Sequence, residues 1–138
     1  MRLAALTSLL MLSACVSIDT DVAGPGLCPA GLVERATAEL YFGRNVGETV
    51  GVTEEAWTAF VDSEVTPRFP DGLTVIDAAG QWRGGDGKIV REPAKAVMIV
   101  LSGEDGETAK LDAIRAAYKA RFRQESVMLV QREACVGF

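Results

Sequence analysis

The chain has 138 residues, 14 of them basic and 19 acidic, for a formal net charge of −5. That balance gives it no electrostatic hold on nucleic acid. The absence of histidine removes the commonest general base, the commonest zinc ligand and the usual pH switch at once.

The start of the chain reads as an address. Met1-Arg2 is followed by the uncharged, mostly apolar run from Leu3 to Leu12 and then by Ser13-Ala14-Cys15. A basic start, a short apolar core and small residues before a cut site make a secretory signal. The run is shorter than the ~20 residues that span a bilayer as a helix. Leu12-Ser13-Ala14-Cys15 resembles the lipobox of bacterial lipoproteins, where the Cys thiol takes a diacylglyceryl group and becomes the new first residue. The other reading is a buried N-terminal helix with an incidental Cys, but nothing later supplies a helix stop before it. Two acyl chains anchor a protein durably where one does not. In two-membrane bacteria an Asp after the lipidated Cys commonly retains the protein in the inner membrane. Val16 therefore predicts an outer-membrane lipoprotein facing the periplasm.

Residues 1–14 thus form the signal peptide, and their removal leaves 124 residues (138 − 14), enough for one domain. Arg2 is the only charge removed, so the remainder carries 13 basic and 19 acidic residues, net −6. Of three cysteines, Cys15 is assigned to lipid, and export puts Cys28 and Cys135 where a disulfide is the default. Two buried free thiols are the alternative. Closing so long a loop stabilises by ~4–5 kcal/mol at most in the chain-entropy model.

Residues 15–36 read as the lipidated Cys and a tether, since Ala23-Gly24-Pro25-Gly26 breaks any periodicity. Residues 37–138 read as a single α+β domain. Ala38 to Gly43 is the first strand, ended by a turn from Gly43 to Gly47. Thr53 caps a helix with Glu54 and Glu55 in its first turn and Trp57, Phe60, Val61 and Val65 on its buried stripe. Thr66-Pro67 ends it. Leu73 to Ala79 is the second strand. Gly84-Gly85-Asp86-Gly87 then turns a hairpin, and counting outward pairs Arg83 with Lys88, Trp82 with Ile89 and Val75 with Ala96. Pro93 marks a bulge or bend. Lys95 to Leu101 is the third strand. Glu107 to Gln124 is a helix with the stripe Leu111, Ile114, Tyr118 and Phe122. Val127 to Arg132 is the last strand.

The order β-α-β-β-α-β predicts a ferredoxin-like α+β fold, a four-stranded antiparallel sheet with two helices on one face. That topology makes the first and last strands antiparallel neighbours, bringing the flanks that hold Cys28 and Cys135 together. Cysteine pairing and strand order agree.

The stretches Leu40-Tyr41-Phe42-Gly43-Arg44, Val65-Thr66-Pro67-Arg68-Phe69-Pro70-Asp71-Gly72-Leu73-Thr74-Val75 and Gly80-Gln81-Trp82-Arg83 resemble a domain-of-unknown-function family of small bacterial exported proteins and lipoproteins. Arg115 to Lys119 and Gln124 to Val127 fit it too. The resemblance runs from about residue 38 to the end and brings no activity with it.

The polar residues worth weighing are Tyr41, Arg44, Arg68, Asp71, Asp77, Gln81 and Trp82. Asp77 interrupts an apolar strand, and a carboxylate there needs a partner, which Arg44, Arg68 or Lys95 would supply. One reading is a pocket for a small anion or carboxylate, lined by Arg44 and Arg68 with Trp82 as its apolar wall. The other is an ion pair fixing the Arg68–Gly72 corner. Tyr41 and Tyr118 read as core-edge residues, Glu54, Glu55 and Glu64 as solvated helix carboxylates. Asp86 lies in a turn lacking the ligands of an EF-hand or P-loop. No catalytic residue, metal site or cofactor is assigned.

The sheet pattern carries the functional expectation. Ala96, Met98 and Val100 alternate with Val97, Ile99 and Leu101, and Val127 and Leu129 with Met128 and Val130, so both faces are apolar. A sheet with one wet face alternates with polar residues instead. The second face therefore wants a cover, which is another subunit, a ligand or the chain's own N-terminal segment, and a homodimer or an envelope protein partner is the leading expectation. The alternative is a small-ligand-binding protein or enzyme with a pocket near Tyr41, Arg44, Asp77 and Trp82.

Overall fold

The computed structural model describes residues 28–138; the signal peptide, Cys15 and most of the tether lie outside them. Four long strands, β1 (Val33–Gly43), β4 (Thr74–Arg83), β5 (Ile89–Val100) and β6 (Met128–Val136), form one antiparallel sheet in the order β4-β5-β1-β6. A small ribbon, β2 (Asn45–Val46) with β3 (Thr49–Val50), follows β1. Two helices, α1 (Glu54–Phe60) and α2 (Glu107–Phe122), supply the cover of one face. This is the ferredoxin-like α+β arrangement that the element order predicts.

Strand β1 begins at Val33 and runs beside β6 from Val33↔Val136 to Tyr41↔Met128. It is five residues longer at its start than the sequence pattern indicates. The extension is held by the partner strand, because Val33, Glu34 and Arg35 are all exposed and show no alternation of their own. Cys28 and Cys135 form a disulfide there, with Cα atoms 5.4 Å apart across 107 residues of sequence.

The hairpin register is a correction. Arg83 pairs with Ile89, Trp82 with Val90 and Val75 with Val97, one residue beyond the count from the turn. Gly87 is the cause. Its φ of +82° places it in the left-handed region, after a turn closed by Gly87 N–H donating to the Gly84 carbonyl at 2.9 Å. Gly84 N–H donates to the Lys88 carbonyl at 2.8 Å, so the loop holds three residues and a bulge rather than two. One extra residue turns every side chain of the strand toward the other face relative to its partner.

Pro93 makes no bulge, and β5 runs straight through it. β1 pairing ends at Gly43↔Ala94, so Pro93 lies where β5 has a neighbour on one side only. Its carbonyl, on the same strand edge as its ring nitrogen, accepts from Arg44 N–H at 3.0 Å. The missing donor costs no ladder bond there.

Thr53 caps α1, its Oγ1 accepting from Ala56 N–H at 3.2 Å. The helix continues as one π-helical turn, Val61–Val65, closed by Thr66 N–H on the Val61 carbonyl at 2.9 Å, before Pro67 stops it. Helix α2 ends at Phe122, two residues earlier than the stripe indicates, because Arg123 takes a left-handed conformation at φ 52°. The core between helices and sheet is aromatic at its centre. Phe42 lies 4.8 Å from Tyr118 and 5.2 Å from Trp57, and Phe60 lies 5.0 Å from Tyr118, measured between ring centroids. Tyr118 is thus a core residue rather than an edge one. Its hydroxyl donates to the Gly43 carbonyl at 2.8 Å, and burial pushes its pKa well up.

Candidate functional site

The seven polar residues that the sequence groups together occupy three separate places. Tyr41, Gln81 and Trp82 line a groove of about 590 Å³ where the β4–β5 hairpin runs on past the end of β1. Arg44 and Asp77 lie on the helix side of the sheet. Arg68 and Asp71 line a smaller hollow of about 380 Å³ with Ser102, Glu107 and Lys110.

On the helix side Lys95 is the centre. It is buried, pairs across strands with Asp77, and bonds both the Asp77 carboxylate and Glu54 Oε2, the latter at 2.8 Å. Arg44 pairs with the other Glu54 oxygen and donates through Nε and Nη2 to the Val52 carbonyl at 2.9 and 2.7 Å. Hydrogen bonding to Lys95 holds the Glu54 and Asp77 carboxyls below their ordinary range. The same contacts, that with Asp77 first, hold the Lys95 ammonium above its own. Glu54 is therefore not a merely solvated helix carboxylate. Its place in the first turn of α1 also suits the helix dipole. This network ties the start of α1 to β4 and β5, and both Arg44 and Lys95 are already neutralised.

Arg68 is not the partner of Asp77. It bonds Glu64 one turn back, to its carbonyl at 2.6 Å and its Oε2 at 2.9 Å. Glu107 caps the loop before α2 instead, accepting from Ser102 N–H at 2.9 Å and Gly103 N–H at 3.1 Å. The anion pocket lined by Arg44, Arg68 and Trp82 therefore does not form.

The groove contains a residue that sequence reading missed. Glu92 Oε1 accepts from Trp82 Nε1 at 3.0 Å, and its Oε2 accepts from Asn45 N–H at 3.2 Å. Gly43 makes the space: a Cβ there would stand 2.6 Å from both carboxylate oxygens. Gly80 lies opposite Glu92 in the ladder, where a Cβ would make only ordinary contact with it, at 3.8 Å. The three-residue hairpin loop is what brings Glu92 to the Trp82 side; the two-residue register would put Arg91 there. Asn45 lies at the same end, its carbonyl accepting from Gln124 Nε2 at 2.5 Å and its buried Oδ1 without a partner. Among the described residues no cluster of histidine, cysteine or carboxylate side chains is placed to hold a metal ion.

The groove opens onto the uncovered face of the sheet. Ile76, Trp82, Met98, Met128 and Val130 stand there between 36 and 55% exposed, and Glu39 pairs with Arg132 in their midst. Tyr41 lies on the same face, donating to Glu39 Oε2 at 2.7 Å.

A four-stranded antiparallel sheet with both helices on one face and the strand order β4-β5-β1-β6 defines a ferredoxin-like α+β protein. The chain belongs to DUF3574, a family of proteins of unknown function, whose pattern matches residues 37–138. Among solved structures it is similar to a phage SAM lyase in complex with S-methyl-5'-thioadenosine. That likeness has 18% identity and a TM-score of 0.60, over 84% of this chain and 97% of that one. A phage SAM lyase in its apo state is similar at 22% identity and a TM-score of 0.56, over 76% of this chain and 90% of that one. CutA from Synechococcus elongatus PCC7942 is similar at 13% identity and a TM-score of 0.50, over 77% and 84%. Among curated proteins none matches the sequence. These likenesses show a shared fold.

Proposed function

We propose that the protein is a lipid-anchored envelope protein whose domain self-associates through the uncovered face of its sheet. One observation carries the reading: five large apolar side chains, Ile76 and Trp82 on β4, Met98 on β5, and Met128 and Val130 on β6, stand exposed on one face of the sheet. A lone exposed apolar residue needs no explanation, but a contiguous patch marks an interaction surface. A second copy suits this patch better than a charged partner does. Its central charges, Glu39 and Arg132, neutralise each other within one chain, so the middle of the face brings no net charge to a second copy. Burying them at ~25 cal/mol per Å² supplies the drive.

Light scattering on a chain starting at Val16 tests this. The expected result is a mass at a whole multiple of the monomer that holds on dilution, and a monomer for Met98→Glu at unchanged helix content. A wild-type monomer at high concentration would sink the proposal. The anchor has its own test. Cys15→Ser moves the protein from the membrane fraction to the soluble one, and the anchor assignment fails if it stays.

A further inference from the structure

We propose that the groove beside Trp82 binds a small organic cation with an alkylated ammonium or similar onium centre, with Glu92 as its counter-ion and Trp82 and Tyr41 as its aromatic walls. The inference goes beyond self-association: it shares Trp82 with that reading and rests on Glu92 and Tyr41 besides.

Glu92 carries the argument. It is a half-buried carboxylate with two hydrogen bonds, both from neutral donors, Trp82 Nε1 at 3.0 Å and Asn45 N–H at 3.2 Å. A carboxylate offers about four lone-pair positions, so half its acceptor capacity is free. Among the described residues no lysine or arginine comes within ion-pair distance of it. That sets it apart from Glu54, Glu64, Asp77 and Asp112, each of which holds a cation. Glu107, more buried and likewise without a cation, fills its acceptors with Ser102 and Gly103; Glu92 keeps acceptor positions open toward the groove, where a cation from outside can take them.

The rest of the lining agrees. Glu92, Asp86 and Glu125 face one guanidinium, that of Arg123, around the groove. Asp86 is engaged by Lys88 at 3.3 Å, outside the lining. An anion would meet Glu92 first, and nothing at the floor would receive it. The aromatic walls select the kind of cation. Indole gives the strongest cation–π attraction of the side chains, and recognition of alkylated ammonium by aromatic rings uses this. The Trp82 hydrogen bond to a carboxylate pushes electron density into the indole and strengthens that attraction. A hydrated metal ion or bare ammonium gains little from a ring face, whereas an alkylated centre gains both charge and apolar contact. The volume of about 590 Å³ suits a small molecule.

The site is built rather than incidental. Gly43 lacks the Cβ that would collide with Glu92 at 2.6 Å, and the left-handed Gly87 sets the register that brings Glu92 beside Trp82.

The experiment is calorimetric titration of the full chain with choline and, separately, with its uncharged isostere in which carbon replaces the nitrogen. The expected result is saturable choline binding, with the isostere weaker by at least about 10-fold, the ratio that ~1.4 kcal/mol of charge recognition gives. Glu92→Gln keeps the size of the side chain and lowers choline affinity by a similar factor. Trp82→Leu, on the exposed hairpin, lowers it independently of any effect of the Glu92 change on folding, which circular dichroism monitors. Equal binding of choline and isostere, no saturation by choline into the millimolar range, or unchanged affinity in Trp82→Leu overturns the proposal.

Discussion

The two faces of one sheet are built from the same strands and differ in what lies on them. On β1, Ala38, Leu40 and Phe42 point to the helices and are fully buried, while Glu39 and Tyr41 between them are partly exposed. On β5, Val97 and Ile99 are covered, as is Leu101 just beyond its end, and Met98 is 40% exposed. The covered face is closed by an aromatic cluster whose rings touch edge to face. The open face carries flexible methionines, an indole bonded to Glu92 and one internal ion pair. Rigid rings specify a single packed core, while methionines adapt to whatever meets them. The difference separates a face that holds the fold from a face available for contact.

The largest expected effect tests that separation directly. Phe42→Ala removes a ring packed against Trp57, Phe60 and Tyr118 and should cost about 3–5 kcal/mol of unfolding free energy. Ile76→Ser, on the open face and 53% exposed, should change it by only about 0.5 kcal/mol when both changes are made in the monomeric Met98→Glu background. Urea titration of both variants decides it. Comparable losses would mean that the open face is part of the folded core and the division into two roles is wrong.

The next effect concerns the two ends of the sheet. At one end the Cys28–Cys135 bridge closes a loop of 107 residues and clamps β1 to β6; at the other the β4–β5 hairpin projects with no clamp. Cys135→Ser should cost about 2–4 kcal/mol, read as a lower urea midpoint. Amide exchange should speed up first around Val33–Arg35, where β1 has only β6 beside it, and leave Tyr41–Gly43 protected. Uniform loss of protection along β1 would show that the bridge acts on the whole domain and not on one end.

Much of this arrangement is legible in the sequence, and the places where it is not have physical causes. Strand order follows from stripes and breakers, and Cys28 and Cys135 confirm it because the fold brings their flanks together. The register is not legible, because Gly84-Gly85-Asp86-Gly87 reads equally well as a two-residue or a three-residue loop. Only the left-handed Gly87, with Asp86 Oδ1 receiving Lys88 N–H at 3.0 Å, decides between them. Glu92 was hidden by the same ambiguity. Gly43 was the signal that pointed to it, a glycine at a strand end whose absent side chain leaves room for another. The grouping of Arg44, Asp77 and Trp82 failed for a related reason: proximity in sequence to strand ends does not say on which face a side chain emerges.

The smallest effect is confined to pH and sharpens the contrast at the rim of the covered face. The Glu54 and Asp77 carboxyls are held below their ordinary values of 4.5 and 3.8, chiefly by hydrogen bonds from Lys95. A carboxyl depressed in the folded state contributes stability that is present above its unfolded value and lost as pH falls through the folded one. Lys95 is raised above 10.5 by Asp77 and Glu54, so its contribution is present below that pH and lost as pH climbs past it. Both carboxylates are solvent-exposed, so the contribution is modest. Lys95→Met should therefore flatten the acid limb of the stability curve below about pH 5 and leave the two proteins converging as the carboxyls protonate. Replacing both acids, Glu54→Gln with Asp77→Asn, should destabilise more than Lys95→Met does. It leaves a buried ammonium without a counter-charge, whereas methionine leaves two carboxylates that water can reach. Parallel acid limbs for wild type and Lys95→Met, or the opposite order of the two losses, would show that Lys95 holds its place by packing of its alkyl stem rather than by charge.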